Sequence, residues 1–338
     1  GGEELWVKCL QERPPDKPFF MWFAAYDAHR VWGPNQFSDM HDPDKITPPF
    51  YLVNGRKTRE DLGKYYDEVA RFDHYIGLVY EELVRQNVVR NTVIIIMADN
   101  GRPFPHSKTR VNDRGLGTPF IVHWPEGIGE EPKVCSSMVS SIDIAPTILD
   151  VAGISIPDHV QGYSFAGLLT KPHKSFRKYI FGEHNWHDYE AHERMVRTKD
   201  YLYILNSRPQ FPQSGPADAV GSPSYEELDS LRKANSLTSQ QVDIFTAPRP
   251  NEELYSNNSD PDQFDNLADN KSYRKKLVRL RSVLQEWMKE TGDNIPENLT
   301  HDWYLREPGY VKTPDMNIRG EPVDAKFNAT RINNKGKF

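Results

Sequence analysis

The 338-residue chain sets 42 basic against 48 acidic side chains, a formal charge of -6, and is 37% hydrophobic and 27% charged, the balance of a folded globular protein. That charge excludes a broad nucleic-acid-binding face, whose affinity would rest on Lys and Arg neutralising phosphates. The mean hydropathy is -0.71, and no apolar run approaches the ~20 residues that span a bilayer, which excludes a transmembrane helix.

The opening GGEELWVKCLQERPPDKPFF has no apolar signal-peptide core, and Gly1-Gly2 running straight into helix-like sequence looks like a cut end. Residues 3–12 read as a helix stopped by Pro14 and Pro15. Pro18 to Ala25 is an unbroken apolar run, the pattern of a strand covered on both faces, and polar Tyr26-Asp27-Ala28-His29-Arg30 follows it. Residues 33–58, rich in Pro, Asp and Asn, read as a long surface loop. From Arg59 the period becomes helical, with Leu62, Tyr65, Val69, Phe72, Ile76, Val79 and Leu83 on one stripe and Asp67 and Asp73 on the solvated face.

Val93 to Ala98 is wholly apolar and β-branched, so it is predicted to be a central parallel strand, closed by Asp99-Asn100-Gly101. Phe120 to Pro125 is a third strand, and residues 143–152 a helix with Pro146 near its first turn. The register then changes. Tyr179–Glu183, Arg194–Thr198 and Tyr201–Leu205 are short aromatic segments suited to an antiparallel sheet. Residues 207–250 are too long for a simple connection and read as a functional or family-specific insertion. A last amphipathic helix carries Leu277, Leu280, Leu284 and Trp287, and the tail from Asn294 has little periodicity. Cys9 and Cys135 make no disulfide framework and read as lone buried thiols. The expected architecture is α/β: a three-layer sandwich over residues 1–172, then a smaller α+β domain over 173–338 with an antiparallel sheet.

Ligands of doubly wound sheets bind at the C-terminal strand ends, where Asp27-Ala28-His29 and Asp99-Asn100-Gly101 fall. Asp99 and Asn100 offer two adjacent hard oxygens, suited to Ca²⁺ or Mg²⁺ rather than a thiophilic metal, although a tight turn is the commonest use of Asp-Asn-Gly.

The wider context resembles the sulfatase family of the alkaline-phosphatase-like superfamily. The run NTVIIIMADNGRPFPHSKTRVNDRGLGTPFIVHWP, from Asn91 to Pro125, matches a strand ending in Ser/Ala-Asp-Asn-Gly, then a basic residue, a Gly-rich stretch and a Pro-x-Ile-Val-x-Trp-Pro strand. His29 after its Phe-rich strand, Ser141 to Leu149 (SIDIAPTIL), and Glu253-Leu254-Tyr255 with Asp260-Pro261 and Asn266-Leu267-Ala268 agree in order and spacing over roughly residues 17–290. The element Asp99 to Pro105 is similar to the heparan N-sulfatase (sulfamidase) branch.

The resemblance implies that Asp99 and Asn100 are metal ligands, with Ca²⁺ expected and Mg²⁺ possible. It implies that Lys108 contacts the sulfate and the nucleophile, and that His29 serves the sulfate or the leaving-group oxygen. An ordinary solvated lysine and a surface-loop histidine are the plainer readings of these two positions. Glu183, His184, His187, Asp188 and His192 form a His-rich segment, with Glu183, His184, His187 and Arg194 as candidate substrate contacts. Surface exposure, a metal site, and acid pairing of Arg194 and Arg197 stay open.

The family's Cys/Ser-x-Pro-Ser-Arg element, whose first residue becomes formylglycine, is not found in these residues. Nor are its early Asp-Asp pair and Gly-Lys-Trp-His segment. In the family all three precede the position of Gly1, which implies a missing N-terminal segment of the same protein as a partner. The implied activity is hydrolysis of sulfate esters or N-sulfates on a carbohydrate of glycosaminoglycan type. A periplasmic or secreted location is implied in a bacterium, a lysosomal one in an animal. A phosphodiesterase or phosphonate hydrolase of the same superfamily and a non-catalytic glycan-binding homologue are the alternatives.

Overall fold

The computed structural model describes residues 1–34, 40–293, 295, 299, 302–304 and 335–338. Residues 35–39 of the expected loop and most of the tail after Asp293 lie outside the described residues. The first elements in chain order are α1 (Trp6–Glu12), α2 (Arg56–Arg85), β1 (Ile94–Met97), α3 (Asp113–Leu116), β2 (Phe120–His123) and α4 (Pro125–Ile128). There follow α5 (Ile144–Val151), α6 (Ala166–Thr170), β3 (Ile180–Trp186), β4 (Glu190–Arg197) and β5 (Tyr201–Asn206). The insertion contributes α7 (Ala217–Val220), α8 (Pro223–Lys233) and α9 (Ser239–Val242), and β6 (Glu252–Ser256) and α10 (Arg274–Thr291) complete the order.

Two compact units emerge. One comprises residues 1–108, 118–130 and 218–243, the other residues 109–117, 131–217 and 244–338, so the expected boundary at 172/173 falls within the second.

In the first unit α2 is the spine. Trp6 of α1 stacks on Phe23 at 5.1 Å and meets Phe72 and Tyr75 of α2 edge-on. The helix begins at Arg56, three residues before the hydrophobic period, with the Lys57 and Thr58 N–H groups of its first turn donating to the Glu227 carboxylate. Asp67, expected on the solvated face, is buried and accepts from the His41 N–H at 2.9 Å and its ring at 2.7 Å. Residues 18–25 form no strand, and Phe20 and Trp22 stay exposed. An apolar run becomes a strand only where a neighbour satisfies its backbone. Here Ala24 O accepts from the Gly1 amine, and the Tyr26 N–H is taken by Glu3 Oε1. Nor is β1 a central parallel strand. It pairs antiparallel with β2 (Ile94 opposite His123, Met97 opposite Phe120), and its four residues are half-buried.

In the second unit β3–β4–β5–β6 form one antiparallel sheet in sequence order. The alternation of each strand decides its two faces. Val196, Tyr203 and Leu254 pack with Leu277, Leu280, Val283 and Leu284 of α10, whose end is marked by left-handed Gly292 (φ 68°). Met195, Leu202, Ile204 and Tyr255 face the other way, around Val111. β4 begins four residues before the predicted segment, and β6 is the Glu-Leu-Tyr element, which composition did not mark as a strand. Both cysteines are exposed free thiols, because each sits on an uncovered surface of its unit.

Candidate active site

The first unit builds the site from three loops. Beyond β1, Asp99 is exposed. Its Oδ1 accepts from the Asn100 N–H at 2.8 Å, while Asn100 Nδ2 donates to Gly101 O at 2.7 Å. The chain then doubles back. The N–H groups of Phe104 and Lys108 both donate to Arg102 O, at 2.8 and 3.1 Å, and Phe104 is wholly buried beside Trp32 and Tyr65. This tight loop delivers Lys108 to a position only 7% exposed.

The Lys108 ammonium lies 3.4 Å from His29 Nε2 and 3.0 Å from Asp218 Oδ2, and His29 Nε2 is 3.8 Å from that same oxygen. The other ring nitrogen of His29 hydrogen-bonds the Arg30 carbonyl. A proton on Nδ1 for that carbonyl leaves Nε2 as an acceptor for Lys108.

The loop bearing His29 is locked from below. Arg30 donates both terminal nitrogens to Asp61 at 2.7 Å and its Nε to Pro103 O at 2.8 Å. Its guanidinium lies 4.4 Å from the Trp32 ring centroid and 4.6 Å from that of Phe104. Burial works to raise the Asp61 pKa, but the hydrogen bonds and charge of Arg30 override it and hold the carboxylate below its ordinary range. One buried ion pair thus ties the His29 loop, the Lys108 loop and α2 together. Asp27 is fixed by Arg71 at 2.5 Å.

The structure brings His29 and Lys108 together and places Asp99 and Asn100 at the end of β1. Asp61 and Asp218 were missed by sequence reasoning. Asp61 is one polar position among many on α2 and carries no signal. Asp218 lies in the 207–250 segment read as a functional or family-specific insertion, with nothing to choose it among the acids there.

The remaining candidates lie in the second unit. Glu183 and His187 are half exposed, with His187 Nδ1 3.5 Å from Asp188. His184 is buried, its Nδ1 3.4 Å from Glu193 Oε2. Arg194 is 1% exposed, its guanidinium bidentate to Asp293 at 2.5 and 2.7 Å and bonded to Glu193 O at 2.8 Å. Its place on the face that packs against α10 makes it an internal ion-pair partner and not an outward substrate contact. Arg197 is likewise paired, with Asp113 at 2.7 and 2.8 Å.

Among the described residues no group of three or more His, Cys, Asp or Glu side chains gathers to hold a metal ion. Asp99 and Asn100 fit a hard cation in kind, though two donors fall short of the about six to eight that Ca²⁺ takes.

Comparison with known proteins bears on this arrangement. A family model described as Sulfatase matches residues 4–154, and one described as N-sulphoglucosamine sulphohydrolase, C-terminal, matches residues 106–207. The chain belongs to the sulfatase superfamily. An ulvan-active sulfatase of Formosa agariphila is 32% identical over 274 residues, covering 78% of this chain and 45% of that protein. Human N-sulphoglucosamine sulphohydrolase is 28% identical over 324 residues, covering 86% and 64%. The chain therefore spans about half to two-thirds of the length of these relatives.

Among solved structures, a Bacteroides thetaiotaomicron protein of glycosaminoglycan metabolism matches with a TM-score of 0.59 at 21% identity, over 87% of this chain and 61% of that one. A protein solved with its substrate D-glucosamine-2-N,6-O-disulfate matches with a TM-score of 0.51 at 21% identity, over 72% and 44%. These two likenesses establish a shared fold. No helix among the described residues is long and apolar enough to cross a membrane.

Proposed function

We propose that the protein to which this chain belongs is a sulfatase that hydrolyses sulfate ester or N-sulfate groups of a glycosaminoglycan-type carbohydrate. The observation that carries the reading is the buried Lys108 ammonium 3.4 Å from His29 Nε2, two residues to which the sequence resemblance assigns sulfate chemistry. A sulfuryl group in transfer spreads negative charge over its equatorial oxygens. A fixed ammonium stabilises that charge without any proton transfer. His29, half exposed beside it, is assigned to the sulfate or the leaving-group oxygen. Asp99 and Asn100 are the donors assigned to Ca²⁺, or Mg²⁺ in its place, an ion that supplies positive charge at the sulfate oxygens when bound.

On this reading the formylglycine nucleophile and the remaining metal donors lie in protein outside these 338 residues. The support is donor number, together with a chain that covers 45% and 64% of its two relatives named above. Glu183, His184 and His187 are assigned to the sugar. The location proposed is periplasmic or secreted in a bacterium and lysosomal in an animal, by likeness to the relatives.

The test is turnover of the full-length protein on a panel of O- and N-sulfated monosaccharides. Lys108→Ala should lower kcat by roughly 100- to 1000-fold, the cost of losing one aimed charge, with KM little changed. Unchanged kcat would make Lys108 an ordinary lysine and overturn the reading. Turnover by the 338-residue chain alone would place a nucleophile within it.

A further inference from the structure

Residues 207–250 enter the sequence as an insertion, yet residues 218–243 fold within the unit that holds Lys108. Helix α8 is tied to α2 at two points. Ser224 Oγ donates to Asp61 Oδ2 at 2.6 Å, on the carboxylate that already grips Arg30. Glu227 sits over the first turn of α2, accepting from the N–H groups of Lys57 and Thr58 at 3.1 and 3.0 Å and from the Thr58 hydroxyl at 2.7 Å. A carboxylate at the positive end of a 30-residue helix satisfies donors that have no partner within the helix. These ties make the segment an integral part of the unit, and α7 places Asp218 Oδ2 3.0 Å from Lys108 Nζ and 3.8 Å from His29 Nε2.

We propose that Asp218 is a positioning residue of the sulfatase site, holding the Lys108 ammonium where a sulfate oxygen is to be met, so that the insertion completes an apparatus its motif does not contain. The inference rests on the sulfatase reading above. An ammonium has three N–H donors. Asp218 takes one and His29 Nε2 a second, which leaves one directed donor for the substrate. A lysine without such an anchor has four rotatable bonds and a mobile charge. Electrostatic stabilisation depends on the charge being in place before the reaction, and a displacement of about 1 Å can cost on the order of 100-fold.

The experiment is a double-mutant cycle in the full-length protein. Asp218→Ala should lower kcat by roughly 10- to 100-fold with KM held within about threefold, since the lost contact organises the transition state. Asp218→Asn, which keeps an acceptor of the same shape, should lose less. In a Lys108→Ala background the Asp218→Ala effect should vanish, because Asp218 acts through a charge that is no longer there. An unchanged kcat in Asp218→Ala, or the same fold-loss in both backgrounds, would overturn the proposal.

A second measurement separates its failure from failure of the sulfatase reading. Amine acylation read by mass spectrometry should label Lys108 several-fold faster in Asp218→Ala, with Lys64, an exposed lysine of α2, unchanged as the internal control. Faster Lys108 labelling in a protein without sulfate turnover would sink the sulfatase reading and keep the anchor. Equal labelling would sink the anchor whatever the turnover.

Discussion

Strands β1 and β5 have similar apolar content and opposite fates. Ile94-Ile95-Ile96-Met97 is apolar at every position, yet all four residues remain half-buried, with a single partner strand, β2, whose Ile121 is itself exposed. Tyr201 to Asn206 is more mixed, yet Leu202 and Tyr203 are wholly buried and Ile204 nearly so. The difference lies in company. β5 has β4 and β6 on its edges, α10 on one face and Val111 on the other, whereas among the described residues β1 has one edge partner and little cover. Hydropathy states what a strand could bury, and neighbours decide what it does bury.

The same contrast holds for charges. In the second unit Arg177 and Asp143 are buried and bidentate, at 2.6 and 2.5 Å. In the first, Arg90 and Glu130 form an ion pair with both partners well exposed. Arg177→Ala should destabilise the chain by about 3–5 kcal/mol, because it strands a buried carboxylate. Arg90→Ala should leave the urea midpoint within error, since exposed pairs contribute little. Similar midpoints for the two variants would break the comparison.

Apolar truncation sharpens it at the next scale down. Leu254→Ala, in the wholly buried heart of the sheet, should cost about 2–5 kcal/mol. Ile95→Ala in β1 should cost less, about 1–2 kcal/mol, because part of its surface already meets water. A loss at Ile95 equal to that at Leu254 would show that β1 is covered after all.

The smallest effect distinguishes the units by the sign of their pH response. Burial, and then a hydrogen bond with Asp27, pushes Glu68 up from 4.5 to about 7. Folded Glu68 keeps a proton that the unfolded chain releases, so its contribution is full below about 4.5 and is lost as pH rises towards 7. Burial, and then the charges of Arg194 and Arg208, pushes His192 down from 6.5 to about 4. Its contribution is therefore present above 6.5 and lost as pH falls towards 4. Urea unfolding at pH 4.5 and 7.5 should show Glu68→Gln gaining on the parent at the higher pH. His192→Asn, whose new residue tolerates the native φ of 47°, should gain at the lower. Parallel shifts at both values would remove the contrast.

Much was legible before any coordinates. The α10 stripe and the short aromatic strands of the sheet followed from periodicity, and so did the presence of α2, although of its stripe only Leu62 and Leu83 are buried while Val69 is exposed and Asp61, Asp67 and Glu68 are buried instead. The family was legible in four motifs, and His29 and Lys108, both chosen from them, lie 3.4 Å apart. What periodicity could not supply was partnership between distant segments. It marked Pro18 to Ala25 as a strand and β1 as central and parallel, and neither holds, because a ladder needs a second strand that hydropathy does not identify. It left Arg194 open between substrate contact and acid pairing, and Asp293, 99 residues on, draws it inward.

Asp61 and Asp218 stand for the rest. Each is an ordinary acid in its local sequence, and each acquires its role from a cation 31 or 110 residues away. By itself the sequence determined most of the local elements, the buried faces of α10 and of the four-stranded sheet, and the family, because those follow from side-chain spacing and short motifs. Only the tertiary structure decided that Asp218 meets Lys108 and that Arg30 is clamped by Asp61, because bringing such distant groups within about 3 Å depends on how the whole chain closes and desolvates them.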